Sequence, residues 1–158
     1  MISLLKNARG QSITEFALIL PFVLVLIGGV VDFGLALFIG HVAENAAREG
    51  ARSAAVQPVD PVSTSGAFPA CQSSGSAVLL AACQAIPNVG LFSGFTVSNT
   101  AVSGAAPNKA VTVTITGTYS WYLLKLIPAN LPLLGDTGFP SGPITITRSA
   151  TMRREWND

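Results

Sequence analysis

The hydrophobic pattern divides the chain into one long helical stretch and a shorter alternating region behind it. From Phe16 to Gly40 the only ionisable residue is Asp32. At 1.5 Å per residue this run reaches about 37 Å as a helix, enough to cross the ~30 Å hydrocarbon core of a bilayer with some tilt. A buried core helix is the competing reading, but a chain of 158 residues can hardly cover such a helix on all sides. A secretory signal fits poorly, because its apolar region is shorter and ends at a small-residue cleavage site. Here the helical pattern simply continues. Val42, Ala43, Ala46, Ala47, Ala51, Ala54 and Ala55 form a narrow stripe of small side chains at helical spacing. Glu44, Arg48 and Arg52 lie four apart on another face, with Glu44 ahead of Arg48 in the favourable order. Pro58 and Pro61 end the pattern, which predicts one helix from about Ser12 to Val56, roughly 67 Å long.

After the helix the text "QPVDPVSTSGAFPACQSSGS" reads as loop, and "SAVLLAACQAI" predicts a short helix carrying Cys83. Three strand candidates follow. "FTVSNTAVS" is weak, "AVTVTITGTYSWYLL" alternates through Val111, Val113 and Ile115, and "ITITRSATMRREW" begins β-branched. The Pro- and Gly-rich connection from Leu126 to Pro143 is long enough to be an interacting loop. The fold class is therefore α+β: a long amino-terminal helix, membrane-spanning in its first half, then a small antiparallel sheet whose apolar face packs on the upper helix.

Composition and charge sharpen this picture. Only 11% of residues are charged against 49% hydrophobic, so part of the apolar content belongs in a membrane. The net charge of +1 excludes a nucleic-acid partner, since no basic field is available to displace counterions from phosphates. Lys6 and Arg9 precede the span, whereas Glu44, Arg48, Glu49 and Arg52 behind it cancel. The positive-inside bias puts residues 1–10 in the cytoplasm and residues beyond about 41 outside it. Cys71 and Cys83 then lie where a disulfide persists, either with each other, closing a short loop worth roughly 3 kcal/mol, or with another chain. Two cysteines and one distant histidine do not make a tetrahedral metal site. His41 has no nucleophile placed beside it by a motif, and the text holds no phosphate loop, paired-carboxylate motif or zinc signature, so neither an enzyme nor a cofactor is expected.

Glu15 remains to be explained. A carboxylate at mid-depth costs roughly 2.5 to 3.5 kcal/mol on insertion scales, and less near the edge, where a first helical turn also favours an anion. Its surroundings suggest more. Cleavage after Gly10 would make Gln11 a new amino terminus, with Glu15 fifth and Phe16 sixth. This order, with its short basic leader, resembles prepilin processing in the type IV pilin superfamily. "RGQSITEFALILPFVLVLIGGVVDFG" running into "AENAAREGARSAAV" resembles TadE-like proteins, the pseudopilins of Tad (Flp) pilus systems, over about residues 9–56, with "SATMRRE" a looser match.

The resemblance implies a pilin-like fold and three parts: a cytoplasmic prepilin-type leader at 1–10, a long helix at 11–56 that is transmembrane at about 16–40, and an extracytoplasmic α+β domain at 57–158. Gly10 and Gln11 would flank the bond cut by a prepilin peptidase. Glu15 and Phe16 would serve subunit assembly, the carboxylate meeting the Gln11 ammonium of its own or a neighbouring subunit. Pro21 would kink the helix. The implied partners are the peptidase, other pilin and pseudopilin subunits, the inner-membrane assembly platform and membrane lipid. The implied location is a bacterial inner membrane, with later transfer to a pilus involved in surface attachment. A TadG-like anchor that keeps residues 1–10 and binds partners outside is the alternative. Gly28, Gly29, Gly34 and Gly40 are candidates for close helix approach. Asp32 is expected at the outer interface or in a pair between subunits, and Tyr119, Trp121 and Tyr122 as core or sheet-face residues.

Overall fold

The computed structural model describes residues 8–104, 108–126, 130–131, 135–136 and 142–155. Helix α1, Ala8–Ala55, is a single element of 48 residues that runs through Pro21 without interruption. It begins and ends close to the expected bounds. The segment from Ser12 to Ala55 is long and apolar enough to cross a membrane. By its internal contacts the chain forms two compact units, one of Met1–Gly34 with Trp121–Ser141, the other of Leu35–Ser120 with Gly142–Asp158.

The second unit is the α+β body. Its sheet has strand order β1-β2-β3-β6, built from β1 (Thr64–Ala67), β2 (Thr96–Asn99), β3 (Ala110–Tyr119) and β6 (Ile144–Arg153), all antiparallel. β3 and β6 pair along their full length, from Ala110 opposite Arg153 to Tyr119 opposite Ile144. Alternation sets the faces. Val111, Val113, Ile115, Gly117 and Tyr119 point inward and are buried. Against them lies the small-residue stripe of α1: Ala43, Ala46, Ala47, Ala51, Ala54 and Ala55 are at most 6% exposed, whereas Val42 is only partly covered.

Gly50, within that stripe, shows why the residues must be small. A Cβ there would stand 2.8 Å from Ala82 Cβ and 3.1 Å from Val113 Cγ1, so both helix α2 (Ala77–Gln84) and β3 press on the bare backbone. Gly50→Ala should therefore lower stability by about 1 to 2 kcal/mol, overpacking outweighing the ~1 kcal/mol gain in helix propensity. Chemical denaturation checks it, and a more stable variant would contradict the packing.

Strand β1 lies inside the stretch expected to be loop. Its pairing is fixed by polar groups rather than hydrophobic alternation: buried Asn99 donates from Nδ2 to Val62 O at 2.8 Å, and Thr64 Oγ1 donates to Asn99 Oδ1. Cys71, in the 3-10 turn Ala70–Ser73, bonds Cys83 on α2, which closes the intrachain option among the two pairings foreseen. The carboxyl end returns to the end of α1. Glu155 N donates to Ala55 O at 3.1 Å, satisfying a helix-terminal carbonyl. Buried Arg154 donates to Gln57 O at 2.8 Å and Val59 O at 3.2 Å. Its Nε lies 3.2 Å from Asp60 Oδ1 but is out of line for a hydrogen bond, so that contact is electrostatic only.

Candidate functional site

The first unit carries the candidate chemistry. Gly10 and Gln11 are in the first turns of α1, and Glu15 and Phe16 follow one turn on, both exposed, Phe16 by 64%. Exposure continues upward through Ile19, Phe22, Val23, Leu26, Ile27, Val30 and Phe33. These apolar side chains are between 43% and 67% exposed. An apolar surface of this extent needs lipid or other apolar helices to cover it.

Asp32 interrupts the run. It is fully buried, with 0% exposure, and within its own chain it is held by backbone amides. Its Oδ1 accepts from Tyr122 N at 3.0 Å, and its Oδ2 from Leu123 N at 2.9 Å and Leu124 N at 2.7 Å. These amides open the 3-10 turn Leu124–Leu126, whose first N–H groups have no partner of their own. The carboxylate thus acts as a cap supplied from 90 residues away. Burial of a carboxylate among apolar residues is costly, and the three backbone donors on its two oxygens help to offset that cost.

The aromatic residues divide. Tyr119 belongs to the sheet core at 2% exposure and Trp121 is covered at 9%, as expected of core residues, but Tyr122 is 46% exposed, with the Lys125 ammonium 5.6 Å from its ring centroid. The glycines divide too. Gly28 is met by Leu123 Cβ, 3.3 Å from where a Cβ would be, and Gly40 by Arg148 Nη2 at 3.3 Å, whereas Gly29 and Gly34 have nothing within 4 Å. The close approaches at Gly28 and Gly40 are made by the chain's own turn and strand, not by another helix. The expected ion pair of Glu44 with Arg48 is formed, and His41 is exposed on the helix. Most of the Leu126–Pro143 connection lies outside the described residues; within it β4 (Asn130–Leu131) pairs with β5 (Gly135–Asp136).

These features define a class: a protein with, among the described residues, one helix long and apolar enough to cross a membrane, followed by a small disulfide-bonded α+β body. Residues 10–52 match the family model described as TadE-like protein. The matched segment starts at Gly10 and ends within the small-residue stripe, so the exposed apolar run, Asp32 and Gly50 all lie inside it. No curated protein and no solved structure matches the chain.

Proposed function

We propose that the protein is a TadE-like minor pilin or pseudopilin, cut after Gly10 by a prepilin peptidase and assembled through α1 into, or at the base or tip of, a Tad/Flp-type pilus that serves surface attachment. The observation that carries the reading is a coincidence of position. The TadE-like match begins at Gly10, the residue at which the glycine-to-glutamate spacing puts the cut. Removing residues 1–10 takes away Lys6 and Arg9, which reduces the nine basic residues to seven against eight acidic ones and turns the net charge of +1 to −1. Two charges that hold the helix on the cytoplasmic side go with them. The new Gln11 ammonium then lies one helical turn from Glu15, whose pairing with it, in one subunit or between two, gives assembly a register.

Mass spectrometry of the mature amino terminus, in cells with and without the peptidase, tests the reading. A peptide starting at Gln11 only when the peptidase is present is expected; an intact Met1 in both would make the protein the uncleaved, TadG-like anchor. Glu15→Ala should leave membrane insertion intact and reduce incorporation into the assembly about tenfold or more, as loss of ~1.4 kcal/mol of pairing requires. Quantifying the variant in membrane and sheared-pilus fractions checks this, and equal incorporation would reduce Glu15 to a helix-end decoration.

A further inference from the structure

We propose that Trp121–Lys125 is a second membrane-contacting element, a short segment that lies in the leaflet at the carboxyl-terminal end of the span and is held against α1 by Asp32. The inference rests on α1 crossing a membrane and not on pilus assembly. The uncharged apolar run of α1 begins at Phe16, directly after Glu15, and Asp32 stands roughly 24 Å further along the helix at 1.5 Å per residue. A hydrocarbon core of ~30 Å that starts at Phe16 therefore still encloses Asp32 and the three amides it holds. Phe33, one residue on, is 61% exposed, so apolar surface continues past that level.

Irregular backbone at that depth is tolerated only where its polar groups are satisfied from within the protein. The Asp32 carboxylate supplies this, taking the N–H groups of Tyr122, Leu123 and Leu124 that water would otherwise bind. The side chains suit the boundary between acyl chains and headgroups. Tyr122, 46% exposed, is an amphipathic ring of the kind found there, with Leu123 39% exposed beside it, while Trp121 at 9% exposure is covered by its own chain. Lys125 holds its ammonium over the Tyr122 ring, and its long apolar stem would let the charge reach the headgroups. Gly28 allows Leu123 to sit directly on the helix backbone, which keeps the segment close to the span.

Depth-resolved quenching of tryptophan emission tests the proposal in full-length protein reconstituted at low density into phosphatidylcholine vesicles. One variant, Trp156→Phe, leaves Trp121 as the reporter; a second, Trp121→Phe/Trp156→Phe/Leu24→Trp, reports on the middle of α1. Lipids brominated near the glycerol end of their acyl chains should quench Trp121, and aqueous iodide should leave it largely unchanged. Bromine near the chain ends should quench the tryptophan at position 24. Quenching at position 24 but not at Trp121, with iodide reaching Trp121, would overturn the proposal while leaving the span intact. Quenching at neither position would overturn both. In the Trp156→Phe background, Asp32→Ala should shift Trp121 from lipid to iodide quenching; unchanged lipid quenching would remove Asp32 from the holding role.

Discussion

Replacing Asp32 by alanine should release the turn at Leu124 and expose its backbone to exchange. Three amide donors lose a charged acceptor at once, the Leu124 bond fully buried and those of Tyr122 and Leu123 part-buried, so a local destabilisation of about 3 kcal/mol is expected, most of it from Leu124. The amides of Tyr122, Leu123 and Leu124 should then exchange roughly a hundredfold faster or more, which peptide-level hydrogen exchange measures directly. Asp32→Asn is a sharper probe, because the side chain keeps its size but retains only one acceptor oxygen and turns an NH2 toward the amides. It should recover a minor part of the protection. Unchanged exchange in both variants would mean that the amides are satisfied elsewhere.

Removal of the disulfide should have an effect of similar size on the α+β body. Cys71 and Cys83 are 12 apart in sequence and almost completely buried, so the bond restricts a short loop of the unfolded chain and fills space in the folded one. The double variant Cys71→Ala/Cys83→Ala should lose about 3 kcal/mol. Cys83 lies next to Ala82, which packs at the Gly50 position of α1, so loosening of α2 should be transmitted to the helix contact. Denaturant titration with and without reductant checks both statements. A loss well under ~1 kcal/mol would show that packing alone holds α2 in place.

Much of this architecture is legible in the residues because its signals are local and periodic. The apolar run, the alanine stripe, the alternation of β3 and the paired cysteines each declare themselves within a dozen or so positions. β1 escapes because its register depends on Asn99, more than 30 residues distant, and its own text is Ser-, Gly- and Thr-rich. Asp32 could be singled out as an ionisable residue in lipid-like surroundings, but its partners are backbone amides, and every residue except proline has one. The grouping of Trp121, Tyr122 and Lys125 after a strand was the available hint. Gly50 is equally silent in sequence: a glycine within an alanine-rich helix reads as composition until Ala82 and Val113 are seen to press on it. For the assembly residues the position is reversed, since Gly10, Gln11, Glu15 and Phe16 are conspicuous by spacing, while the amino terminus that Glu15 is proposed to meet exists only after cleavage.

The separation of Asp32 from its amides has a consequence in time. A chain made from its amino end at ~5 to 20 residues per second contains Asp32 roughly 5 to 18 seconds before Tyr122 has been synthesised. Throughout that interval the carboxylate lacks the backbone amides of Tyr122, Leu123 and Leu124. The contact between Asp32 and the turn at Leu124 therefore forms only after about three quarters of the chain has been made, so the first-made helix waits on a late segment for this carboxylate to be capped.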